Sequence, residues 1–205
     1  MTEKEWLACE DPRWMLDYHR MKKNPRRLRL LAAACVRRVV PDDAVPVCGP
    51  VIDAAERYAD GVAERSEFLA ARKAVRAAAR DTLAAPAVLS AVRCLTDDVM
   101  EGMTAAIVNS RPLAGPGGGA VECALIRCVF GNPFRSATFS PAWRTDTAVS
   151  LARGMYESRN FGAMPILADA IQDAGCDNAD ILDHCRGPGP HVRGCWAVDL
   201  VLGKE

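Results

Sequence analysis

The chain has 205 residues, of which 50% are hydrophobic and 25% charged, and its 26 Lys+Arg balance its 26 Asp+Glu. That composition excludes a disordered chain, a strongly basic nucleic-acid binder and an acidic tail protein, and the length suits one domain or two small halves. Aromatic residues make up only 6%, so the core must be built from small and aliphatic side chains, which favours close-packed helices over a β-sandwich.

Helix punctuation is frequent from the start. Thr2 and Glu5 read as a capping box, and Asp11-Pro12 and Asn24-Pro25 each place an N-cap before a proline at the first helical position. The segment from Pro25 to Val40 carries Leu28, Leu31, Ala32, Cys35 and Val39 on one face at 3.6-residue spacing, and Pro41 ends it. A helix is predicted over Val51 to Asp60, closed by Gly61, and another from Ser66 to about Leu83. Pro86 to Leu95 and Asp97 to Val108 predict two more. Pro112, Gly115, Pro116 and Gly117-Gly118-Gly119 then form the one clear linker, over 112–120, dividing residues 1–111 from 121–205. Beyond it, helices are predicted over Val121 to Phe130, from Thr145 or Asp146 to Tyr156, from Met164 to Gly175, over Ile181 to Cys185 with Asp177 or Asn178 as cap, and from His191 to Leu202. Only Phe134 to Phe139 comes near an extended piece, and no strict repeat is present. The expected fold is all-α, a bundle of roughly eight to ten short helices, whose two parts either side of the linker could share one core.

The first residues, Met1 to Trp6, are charged and mixed in sign, unlike a signal peptide, and the most apolar run, Leu30 to Val36, is far shorter than a membrane span. A cytoplasmic protein is expected. Nine cysteines, an odd number at wide spacings, predict reduced thiols and no disulfide framework.

Few residues could carry chemistry. Cys176, His184, Cys185, His191 and Cys195 gather two of the three histidines and three of the cysteines into 20 residues, in the order Cys-x7-His-Cys-x5-His-x3-Cys. Thiolates and imidazoles are what a tetrahedral zinc site uses. The predicted last helix would put His191 and Cys195, four apart, on one face. No Cys-x2-Cys knuckle is present, and buried cysteine is also a common core residue, so packing alone accounts for the same residues. Cys123 and Cys128, five apart on a predicted helix, diverge and read as core. Asp177-Asn178-Ala179-Asp180 lacks the glycine and glutamate of a calcium loop, and Gly117-Gly118-Gly119 lacks the following Gly-Lys-Ser/Thr of a phosphate loop. No nucleophile elbow or His-Glu-x-x-His occurs. The basic residues Arg20, Lys22, Lys23, Arg26, Arg27, Arg29, Arg37 and Arg38 could contact phosphates, but the solvated face of an amphipathic helix explains them without a nucleic acid.

Phe130-Gly131-Asn132-Pro133-Phe134-Arg135, Pro141-Ala142-Trp143, Leu167-Ala168-Asp169-Ala170, Asp173-Ala174-Gly175-Cys176, His184-Cys185-Arg186 and His191-Val192-Arg193-Gly194-Cys195-Trp196 together resemble a large paralogous family of uncharacterised bacterial proteins. Glu5-Trp6-Leu7-Ala8-Cys9 and the helix around Cys35 are similar too. The resemblance implies a unit used singly or joined to other modules, and it implies no mechanism. The family's third helix is richer in cysteine than Ala32-Ala33-Ala34-Cys35, which weighs against a metal role for the N-terminal cysteines.

Three expectations follow. The first is a non-catalytic helical interaction or scaffold module with a protein partner; with no catalytic constellation, the reading leans away from an enzyme. The second is a zinc-binding protein using the C-terminal Cys/His cluster. The third is nucleic-acid binding through the basic helix 20–38. No membrane partner is expected.

Overall fold

Proline and asparagine side chains set where the helices begin. Asn24 Oδ1 accepts a hydrogen bond from Arg27 N at 2.9 Å, and Pro25 follows at the first helical position, where its missing N–H costs nothing. The same logic recurs at Asp11-Pro12, at Thr145, whose Oγ1 accepts from Ala148 N, and at Asn178, whose Oδ1 accepts from Ile181 N. The structure, a computed structural model, describes residues 1–18, 24–78, 95–96, 98, 101–102, 104–107 and 117–204. The chain is all-α, with no strand among the described residues. The predicted helix over 86–95 falls outside them except at Leu95, the one over 97–108 is described only at 98, 101–102 and 104–107 and is helical at 101–102 and 104–107, and Arg20, Lys22, Lys23 and positions 112–116 of the linker lie outside.

The described α-helices are α1 (Glu3–Ala8), α2 (Pro12–Leu16), α3 (Pro25–Val39), α4 (Val45–Ala59), α5 (Arg65–Ala78), α6 (Gly118–Phe130), α7 (Asp146–Ser158), α8 (Met164–Asp173), α9 (Ala179–Arg186) and α10 (Trp196–Leu202). Two expected boundaries move. Helix α4 starts at Val45, ahead of the predicted Val51, because Pro46 sits in its first turn and the helix also accommodates Pro50. Helix α10 starts at Trp196, not His191, because Gly194, with φ of +89°, takes the backbone out of the helical region just before it. Gly118 and Gly119, read as linker, lie inside α6.

Two compact units emerge, one of Met1 with residues 8–123 and one of residues 2–7 with 124–205. In the first, α3 packs on α4 and α4 on α5. Leu28, Leu31, Cys35, Val51, Ile52, Ala55, Phe68 and Val75 are buried. The basic side of α3 is turned to α4: Arg26 Nε lies 3.0 Å from the fully buried Asp60 carboxylate, Arg37 reaches Asp53 at 2.7 Å and Glu56 at 3.2 Å, and Arg29 lies over the Tyr58 ring at 4.8 Å.

In the second unit, α7 packs on α8 and α10, and α8 on α9. Their core includes Ala148, Ala152, Met155, Leu167, Ala168, Ile171, Ile181, Leu182 and Val198. Small residues on α7 and α8 let these helices approach closely, as the alanine-rich composition implies. Arginines close the helix ends: Arg127 donates to Trp6 O at 2.8 Å, and Arg144 donates to Val201 O and Leu200 O, both at 2.8 Å. Asn132 Nδ2 donates to Glu3 Oε1 at 2.7 Å, and Arg135 pairs with Glu3 and Asp180, so the segment after α6 ties α1 to α9. Among the described residues, no helix is long and apolar enough to cross a membrane.

Candidate metal centre

Four side chains of the second unit converge. Helix α6 delivers Cys128 in its last turn, α9 delivers His184 in its last turn, and the loop between α9 and α10 delivers His191 and Cys195. One ligand atom from each lies within 4.8 Å of all the others. His184 Nε2 is 3.2 Å from Cys195 Sγ, and the two imidazoles meet edge to face at 5.0 Å between centroids. Cys128 and Cys195 are fully buried, whereas the two histidines are partly covered. A tetrahedral zinc with bonds of about 2.3 Å to sulfur and 2.0–2.1 Å to nitrogen has ligand-to-ligand edges of about 3.3–3.8 Å. No edge of the group therefore exceeds that range by more than about 1 Å.

The electrostatics favour a cation at this point. Burial pushes the Cys195 thiol up, but its contacts with Cys128, His184 and His191 outweigh burial and hold it well below the ordinary thiol value. Burial, and then the neighbouring Cys195 sulfur, push Cys128 up. Burial works against charge on His191, yet the Cys195 sulfur and the Gly187 carbonyl together raise its pKa. A dry thiolate bounded by imidazoles attracts positive charge, whether from protons or from a metal.

The histidines are oriented as ligands. His191 Nε2 lies 3.4 Å from Gly187 O, and its buried Nδ1 has no hydrogen-bond partner. With the Nε2 proton on that carbonyl, the Nδ1 lone pair is left for a metal, the usual outer arrangement of a zinc-bound histidine. His184 presents Nε2 to the cluster.

Of the five residues expected from the sequence, His184, His191 and Cys195 meet. Cys176 and Cys185 are not in the group. Cys185 follows His184 on α9, and adjacent helical residues point about 100° apart, so it joins Ile181 in the row that faces the core. Its thiol is pushed up by burial first, then by Cys195 and Cys176. Cys176 follows Gly175, whose φ of +91° closes α8 in a Schellman turn: Cys176 N donates to Ile171 O at 3.0 Å and Gly175 N to Gln172 O at 2.8 Å. The Cys176 side chain is buried beyond that turn. The fourth member is Cys128, which is buried in the core as expected and also lies in the group. His191 and Cys195 meet through a loop, not along one helical face. The described cysteines form no disulfide.

No protein-family model, no curated protein and no solved structure matches the chain.

Proposed function

We propose that the C-terminal unit is a non-catalytic helical scaffold stapled by one structural zinc ion, held by Cys128, His184, His191 and Cys195. The observation that carries this reading is the convergence of two buried sulfurs and two oriented imidazoles within 4.8 Å. Two thiolates and two neutral imidazoles suit zinc in a closed tetrahedral site. Four protein ligands leave no coordination position for a substrate, and a Cys195 with no exposed surface is a poor nucleophile for anything in solution. Both points support a structural role over catalysis.

The scaffold reading also has support over nucleic-acid binding. Arg26, Arg29 and Arg37 face Asp60, Tyr58, Asp53 and Glu56 within their own unit, which reduces what α3 offers to phosphates. A protein partner for the scaffold remains part of the proposal.

Elemental analysis of the full chain, purified without chelator or affinity metal, tests the zinc reading. One zinc per chain is expected, with a melting temperature that falls when a strong chelator removes it. Substoichiometric metal together with a chelator-insensitive transition overturns it.

A further inference from the structure

We infer that Gly189 and Gly131 are positioning residues for the two histidine ligands, each making room that a methyl group would fill. The inference rests on the zinc reading and adds how the site is held in register.

Gly189 lies in the loop between α9 and α10, at φ +82°. A Cβ there would stand 3.0 Å from His191 N and 3.2 Å from His191 Cδ2. Cδ2 is bonded to Nε2, the atom facing Gly187 O. A methyl group at 189 therefore pushes on the ring edge that carries Nε2 and on the orientation of the whole imidazole.

Gly131 acts on the other histidine at one remove. It follows Cys128 by three residues, just beyond α6, at φ +68°. A Cβ there would meet the Trp196 indole at Cδ2, Cγ and Cδ1, at 3.2, 3.3 and 3.4 Å. That indole packs against His184 with ring centroids 5.1 Å apart. Displacing it by a few tenths of an ångström moves the wall that holds His184. The bare Cα at 131 and the bare Cα at 189 thus sit behind different ligands.

Gly175 supplies the control. It belongs to the same unit and has a φ of +91°, yet a Cβ there meets nothing within 4 Å. Gly175→Ala carries the backbone strain of a non-glycine at positive φ without touching the site.

The test uses the full chain with Gly189→Ala, Gly131→Ala and Gly175→Ala. Three readouts are taken: the visible absorption of the Co2+-loaded protein, Zn2+ affinity by competition with a chromophoric chelator, and the melting temperature of the metal-free protein. All three variants are expected to melt lower. Only Gly189→Ala and Gly131→Ala should also weaken Zn2+ binding, by about 10–100-fold, and change the Co2+ spectrum. Gly189→Asn, which tolerates left-handed backbone but keeps the Cβ, should reproduce the loss if Gly189→Ala folds poorly. In a Trp196→Leu background the effect of Gly131→Ala on Zn2+ affinity should shrink, because the contact it acts through is gone. Wild-type protein that binds Co2+, with Gly189→Ala and Gly131→Ala binding as tightly as Gly175→Ala, overturns the positioning role alone. Wild-type protein that takes up neither metal overturns the zinc reading and this inference with it.

Discussion

At the residue scale, two neighbouring positions have opposite fates. His184 turns to the ligand cluster and Cys185 turns into the core, although the sequence offers both as ligands. Their difference is testable. Cys195→Ser should abolish stoichiometric zinc, because a serine hydroxyl is a far poorer zinc ligand at neutral pH than a thiolate. Cys185→Ser should retain zinc but lower stability by about 1–3 kcal/mol, since it places a hydroxyl in a dry core. Metal content and urea unfolding of the two variants separate these outcomes. Proton competition sets a second expectation. Both thiols must lose their protons and both imidazoles must be neutral to bind zinc, so binding releases protons and affinity rises with pH. Burial raises the Cys128 thiol and the Cys195 sulfur helps raise His191, so both hold protons that zinc must displace, while Cys195 itself is lowered and gives up its proton more readily. Zinc affinity measured by competition should therefore be weaker at pH 6 than at pH 8, and equal values at the two would contradict a Cys2His2 site.

At the element scale, what the sequence made legible was local chemistry. Asn24-Pro25, Thr145 and Asn178 announce helix starts because their side chains satisfy N–H groups within three residues. The helix predicted from His191 starts only at Trp196, because Gly194, at positive φ, interrupts it. The fourth member of the Cys/His group was not legible at all. Cys128 is 56 positions before His184, and no local spacing reports a convergence of residues so far apart in the chain. Packing of α3 on α4 gives a further expectation. The Asp60 carboxylate is buried and Arg26 largely so, so removing the guanidinium takes a cation from beside a buried carboxylate. Arg26→Ala should destabilise the protein by about 1–3 kcal/mol, read as a lower urea midpoint with an unchanged slope.

At the scale of the whole molecule, the all-α architecture follows from a composition poor in aromatics and rich in alanine, and that much was readable before any coordinates. The division at residues 123 and 124 was not, because it falls inside the continuous helix α6 and leaves no break in the sequence. A calorimetric scan with and without chelator should move the transition of the C-terminal unit, where all four proposed ligands reside. A thermogram indifferent to chelator would remove the metal from its stability. The long gap between Cys128 and the other members of the group would give the proposed ion a further significance. Joining position 128 to position 184 closes a ring of about 56 residues, and a permanent cross-link of that span restricts the unfolded chain by roughly 4 kcal/mol. The ion would act as a removable rivet across that span, indifferent to the reductants that open disulfides and yielding to whatever competes for zinc.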